Sequence, residues 1–497
     1  MPEHATKPAA GAASSPRLNP SHPRMPVSRG ASPDSTTHHN DDGPFAKTIN
    51  NIIFYALLLL IVLAPIPFGS NRPWSWSLCA LITSVLTLAW AINACWNKQK
   101  ISLSLTPMVI VLFLIPCTWA FLQASTLLPE SWTHPLWPMT AAVLGESVTP
   151  TISLAPDNTI TAVMRLLSYG LIFFLTFQYC RNRNRAETTL KWIAVAGVVY
   201  ALYGLISYWG QFNTIHWYEG AASNGVTSTF INRNSYATYA GLGLLCLMSL
   251  FLRNSAHQAR KLHAYMLGRQ QRIERFIITS WLPLLGMMLI TTALITTYSR
   301  GGFISTAVAA GLLLALFGIR KKVTSRTLLA AIGGLFVILL LAFSISSETL
   351  LKRMDNVLSD VEGRLDVYEL TTNAVKDSPW TGFGYGAFRE GFRLYRSEEI
   401  PGVIEKTHNT YIENSFELGI PAAVSLFLAL IGMVLIATRG VFHRRRDWLY
   451  PATGIAATVL VAIHSFVDFS LQIPAIAIVF SAIIGAALAQ ATSPNTD

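Results

Sequence analysis

The stretch Lys406-Thr-His-Asn-Thr-Tyr-Ile-Glu-Asn-Ser-Phe-Glu-Leu-Gly-Ile-Pro421 carries one imidazole, His408, followed by two carboxylates, Glu413 and Glu417, four residues apart. That spacing puts both carboxylates on one side of a helix, which Thr407 or Asn409 can cap. A helix N-terminus favours the neutral ring, and a neutral imidazole can accept a proton from a hydroxyl. His408 is therefore suited to general-base work. The competing reading is a structural histidine whose nitrogens are satisfied by neighbours.

Two arginines supply the matching positive charge. Arg233 stands between two asparagines in Thr227-Ser-Thr-Phe-Ile-Asn-Arg-Asn-Ser-Tyr-Ala-Thr-Tyr239, and Arg300 precedes two glycines in Thr297-Tyr-Ser-Arg-Gly-Gly-Phe303. Gly301 and Gly302 are expected to turn the backbone tightly and leave the guanidinium unobstructed. A guanidinium beside the free amides of a helix N-terminus makes a phosphate seat. Each arginine also has a plainer reading: Arg233 as an interfacial side chain reaching toward headgroups, Arg300 as an incidental residue of a hairpin.

Other residues complete the set. Arg389, Arg393 and Arg396 follow helical spacing, with Glu390, Glu398 and Glu399 nearby. They fit a solvated surface helix or a cationic rim for an anionic substrate. Residues 355–376 read as an amphipathic helix with Val361, Leu365, Tyr368 and Thr372 on one face. Gly382-Phe-Gly-Tyr-Gly-Ala-Phe388 superficially matches a dinucleotide fingerprint, but no strand precedes it and no βαβ unit surrounds it. It reads as a tight turn near the membrane, able to offer flat rings to a sugar. His464 and Asp468 lie four residues apart at the end of an apolar run. Ionisable groups at membrane depth are costly, so the pair marks either a functional site or an interhelical polar clamp. No HxxxH or HExxH spacing is present, and no metal or cofactor is expected.

The elements that must position these residues are membrane helices. Only 13% of the 497 residues are charged, against roughly 25% in soluble domains. Apolar runs near 20 residues recur, centred near residues 60, 84, 113, 171, 201, 245, 288, 311, 337, 429, 458 and 482. The fold class is thus all-α, a polytopic membrane protein with about twelve transmembrane helices and one large extracytoplasmic, mostly helical loop. Cationic residues cluster in alternate connections: Lys98 and Lys100; Arg181 to Lys191; Arg253 to Arg275; Arg320 to Arg326; Arg439 to Arg446. Residues 125–160 hold Glu130, Glu146 and Asp157 and no Lys or Arg. By the positive-inside rule both termini face the cytoplasm and the loop faces the periplasm. The net charge of +11 is then a topology signal, with no nucleic-acid partner implied. Cys79, Cys95, Cys117, Cys180 and Cys246 lie in or beside the spans and read as packing residues.

The expected organisation is a disordered cytoplasmic tail at 1–48, transmembrane helices one to nine at 49–344, and a large periplasmic loop at 345–419. Helices ten to twelve follow at 420–490, with a short cytoplasmic tail at 491–497. The tail is rich in Pro, Ser, Ala and His, and no signal-peptide apolar region appears before Asn51.

Taken together, the stretches 228–234, 298–302, 379–388, 408–413 with 417–419, and 464–468 resemble the bacterial O-antigen ligase and polymerase superfamily. Their order, spacing and shared side carry the resemblance, over roughly residues 225–475. It implies an inner-membrane, metal-independent, inverting glycosyltransferase. Such an enzyme takes a glycan linked through pyrophosphate to undecaprenol and passes it to an acceptor hydroxyl on a lipid A core, a growing polysaccharide or a protein. By motif it assigns Arg233 and Arg300 to the donor pyrophosphate and His408 to activation of the acceptor hydroxyl. Arg389, Glu413, Glu417, His464 and Asp468 stand as supporting residues. A ligase is the first reading, a polymerase of the same architecture the second. A transporter or flippase is a third, disfavoured because the polar residues gather at one membrane face rather than at mid-depth.

Overall fold

The computed structural model describes residues 44–99, 107–212, 225–264, 269–324, 354–397 and 402–493, with the pairs 214–215 and 218–219 and the single positions 101, 326, 333 and 400. Fifteen α-helices occur among them: α1 Pro44–Leu63, α2 Pro73–Trp96, α3 Pro107–Ala124, α4 Leu136–Leu144, α5 Pro156–Tyr179, α6 Arg183–Trp209, α7 Arg233–Ala264, α8 Arg269–Thr296, α9 Arg300–Lys321, α10 Met354–Asp377, α11 Phe388–Phe392, α12 Thr410–Leu418, α13 Ile420–His443, α14 Leu449–His464 and α15 Pro474–Thr492. The only strands described are the antiparallel pair β1 Thr214–Ile215 and β2 Tyr218–Glu219.

Ten of these helices are long and apolar enough to cross a membrane. They coincide with ten of the twelve expected runs. The run near 458 folds as α14, apolar but only 16 residues long, and the run near 337 lies outside the described residues. Proline at the first turns of α2, α5, α13 and α15 starts those helices where a missing N–H costs nothing. The most enclosed spans are α7 and α15, while α3, α8 and α13 show most of their side chains outward. At the cation-rich helix ends, Glu187 receives both Lys191 and Arg253 at 2.7 Å, and Arg183 meets Asp447 at 3.0 Å.

At the opposite helix ends a second, smaller core forms from Val367, Ala374, Phe383, Phe388, Phe392, Ile400 and Phe416. It belongs to the long loop and docks on the spans through Ala120, Val163, Leu418, Ala422 and Ala423. Two sequence expectations change here. The buried stripe of α10 is Val367, Thr371 and Ala374, while Leu365 and Thr372 are exposed. The register is set by Phe383 and Phe416 across the interface, which periodicity within one helix does not reveal. The Gly382–Phe388 turn offers neither of its phenylalanine rings to a sugar, while Tyr385 between them is half-buried. Phe383 and Phe388 are each 1% exposed, and Phe383 stacks on Phe416 at 4.4 Å. Its glycines take φ of 66°, 107° and 81°, where a side chain would strike Glu417, Ser153 and Ala162.

Candidate functional site

His408 sits in the turn before α12, with φ of 57°. Asn409 is the N-cap: its Oδ1 accepts from the amides of Tyr411 and Ile412 at 3.0 and 3.2 Å. The Tyr368 hydroxyl of α10 donates to the His408 carbonyl at 3.0 Å, and the Phe469 ring meets the imidazole edge-on at 4.9 Å. The His408 side chain remains 33% exposed, while its Nδ1 lies 3.4 Å from Oδ1 of the fully buried Asp468. An imidazole with one nitrogen aimed at a buried carboxylate and an exposed edge is arranged to accept a proton through the other nitrogen.

Asp468 lies in the segment between α14 and α15, beyond the end of α14 at His464. His464 and Asp468 therefore do not share a helical face as their spacing suggests. They are joined instead through hydroxyls. Ser470 donates to Asp468 Oδ2 at 3.0 Å, Thr238 donates to Ser470 at 2.9 Å, and Thr238 lies 2.6 Å from His464 Nδ1. Burial pushes the Asp468 carboxyl up, but His408, His464 and the Phe469 amide outweigh it and hold the group below the usual carboxylate range.

Three elements converge on this segment. The start of α12 is pinned to it: Thr410 N donates to the Ser465 carbonyl at 2.9 Å, the Thr410 hydroxyl to the Asp468 carbonyl at 3.0 Å, and the Tyr411 hydroxyl to the Ala462 carbonyl at 2.9 Å. Arg233 is the first residue of α7, and Thr238 is five residues beyond it. Arg300 is the exposed first residue of α9, capped by Ser299. Gly301 and Gly302 are helical rather than a turn. Their bare backbone permits close contact, Gly301 with His464 and Val467, Gly302 with Ala237. Both arginines thus begin helices whose first two turns pack on or beside His464.

The remaining predicted residues hold the loop in place. Glu413 is buried and receives Lys406 Nζ at 2.7 Å, the Thr407 amide at 2.9 Å and the Thr407 hydroxyl at 3.0 Å. Glu417 accepts from the Phe388 amide at 3.2 Å, and burial pushes its carboxyl up to about 7. The two carboxylates secure different segments and do not form a pair acting on one substrate. Helix α11 ends at Phe392, so Arg389, Arg393 and Arg396 do not share a helical face; all three are exposed. Among the described residues no hydrogen bond or ion pair ties Arg389 to His408 or Asp468. Also among them, no three His, Cys, Asp or Glu side chains gather as a metal set.

Sequence reading missed Thr238, Ser470 and Gln123. Gln123 ends α3 and donates to the carbonyls of Thr381 and Glu417 at 2.6 and 2.9 Å, while accepting from the Tyr385 amide at 3.1 Å. Hydroxyls and amides scattered through apolar helices and the short turns between them carry no spacing signature.

These features define an integral membrane protein whose polar site is assembled from helix ends at one face, under a small helical loop domain. Residues 285–427 match the family model described as O-antigen ligase, a stretch that contains Arg300 and His408, and the match supports the O-antigen ligase and polymerase superfamily. No curated protein matches the chain.

Proposed function

We propose that this protein is a glycosyltransferase that moves a glycan from an undecaprenyl-pyrophosphate carrier to an acceptor hydroxyl, on a lipid A core or a similar molecule. The observation that carries this reading is the half-buried imidazole of His408 facing buried Asp468 at 3.4 Å. The Asp468 charge 3.4 Å from Nδ1 favours the His408 tautomer with its proton there and leaves Nε2 bare. Nε2 takes the acceptor proton while the hydroxyl oxygen attacks the anomeric carbon from the side opposite the leaving group. The bond from that carbon to the pyrophosphate oxygen breaks, and its electron pair departs with the carrier pyrophosphate. Arg233 and Arg300 hold this group and offset its charge, a form of stabilisation worth several kcal/mol. The stereochemistry inverts. No residue outside this set needs to change protonation.

The site faces the periplasm from the inner membrane, with both termini in the cytoplasm. Support comes from the cations Arg183, Arg320 and Arg444, at or beside helix ends, and from Arg253, which meets Glu187 near the start of α6. The long loop, expected at 345–419, then lies outside the cell interior.

A deletion strain scored for surface glycans tests the reading. Loss of long chains from lipopolysaccharide, with carrier-linked chains accumulating, is the expected result. Single-repeat caps surviving alone indicate the polymerase reading, in which the acceptor is another carrier-linked glycan. Normal transfer with failed export would point to a transporter and sink the proposal.

A further inference from the structure

We infer that Thr238 and Ser470 are positioning residues for the His408–Asp468 pair, forming a one-way chain of hydrogen bonds that runs from His464 to Asp468. The inference rests on the glycan-transfer reading only for its consequence in catalysis; the chain itself stands on geometry.

Thr238 Oγ1 lies 2.6 Å from His464 Nδ1 and 2.9 Å from Ser470 Oγ, and Ser470 Oγ lies 3.0 Å from both His464 Nδ1 and Asp468 Oδ2. The four side chains are all buried, Thr238 and Asp468 completely. Each hydroxyl has one proton to give. Asp468 is anionic at neutral pH and accepts only, so the Ser470 proton goes to its Oδ2. The Ser470 oxygen is then an acceptor, and the Thr238 proton goes to it, with a longer 3.3 Å contact to the Asn234 carbonyl as the competing choice. The one proton left for the 2.6 Å contact is the His464 Nδ1–H. The reverse direction would leave a hydroxyl oxygen against a carboxylate oxygen with no proton between them. His464 is therefore the Nδ1–H tautomer, and its other edge lies against Gly301.

The chain has a mechanical consequence. Thr238 belongs to α7, which begins at Arg233, and His464 packs on α9 one residue past Arg300. The carboxylate that orients His408 is thereby fastened to both arginine-led helices. The groups facing His408 are Asp468 and Phe469 from the 464–470 segment and Tyr368 from α10 with Arg364 in its field. The Lys406–Glu413 pair adjoins it along its own segment.

The test compares full-length wild-type protein with Thr238→Val, Ser470→Ala and the hydroxyl-preserving Thr238→Ser. The first readout needs no transfer activity: modification of His408 by diethyl pyrocarbonate, followed by peptide mass spectrometry across pH. In Ser470→Ala the midpoint of that curve moves to higher pH by about one unit, because Asp468 loses its hydroxyl donor and its charge bears more fully on His408; in Thr238→Val it moves the same way, because Ser470 loses the donor that fixes its own proton toward Asp468. Thr238→Ser follows wild type. In the transfer assay the same two variants lose roughly tenfold in kcat with KM within about twofold, and the acid limb moves in the same direction. Should either of the two variants fail to fold, the other carries the test. Coincident modification curves for all the proteins overturn the inference and leave glycan transfer untouched. A shifted curve in a protein whose wild type moves no glycan overturns the transfer reading and leaves the chain standing.

Discussion

His408 occupies a backbone conformation that a side chain rarely takes, φ 57°, which costs about 1–2 kcal/mol. Its neighbours hold it there: Tyr368 grips its carbonyl, and Thr407 Oγ1 accepts the Asn409 amide at 3.1 Å. The strain aims the ring at Asp468 rather than at the solvent around α12. His408→Asn is the sharper substitution, because asparagine tolerates this conformation. In the proposed reaction it lowers kcat by roughly 10²–10⁴-fold while the protein inserts and folds as before. A variant that still transfers at the wild-type rate removes the general-base role. Arg300→Lys keeps the charge but loses the planar fork that binds phosphate through two N–H groups. A loss of roughly tenfold or more in kcat/KM is expected from steady-state transfer with a carrier-linked donor.

At the scale of elements, α12 is only nine residues long and would not persist alone. Every turn of it is tied to something else. Asn409 caps it, Glu413 binds the 406–407 segment, and Glu417 binds the glycine-rich turn. The Glu417 carboxyl is raised from 4.5 to about 7, chiefly by burial and also by Glu413, with Lys406 and two backbone amides opposing. A carboxyl raised on folding stabilises fully below its unfolded value and loses that contribution as pH rises toward the folded one. Wild-type thermal stability should therefore fall between about pH 5 and pH 8 in part through Glu417. Glu417→Gln keeps an acceptor for the amides and has no proton to lose, so its Tm should change less over that range. Scanning fluorimetry decides it: equal slopes in the two proteins would remove Glu417 as the titrating group.

For the whole molecule, the proposed topology assigns opposite sides of the membrane to the two sets of helix ends. Alkaline phosphatase fused after Glu146 or Arg396 should be active, and fused after Arg181 or Arg446 inactive. The reverse pattern would put His408 in the cell interior and end the proposal. Ten of the spans were legible because lipid demands long, uniform apolar runs, and such runs survive any packing arrangement. His408, Arg233 and Arg300 stood out as candidates for a related reason: a charged or polar side chain beside an apolar run is conspicuous in the sequence. The face of α10 and the buried fate of Phe383 and Phe388 were hidden, since which side of a short amphipathic element is covered depends on what docks there. Sequence alone also separated His464 and Asp468 from Thr238 by more than two hundred residues. Only the tertiary fold joined them, because hydrogen bonds between hydroxyls are settled by distance and direction in space, and neither is encoded in local spacing.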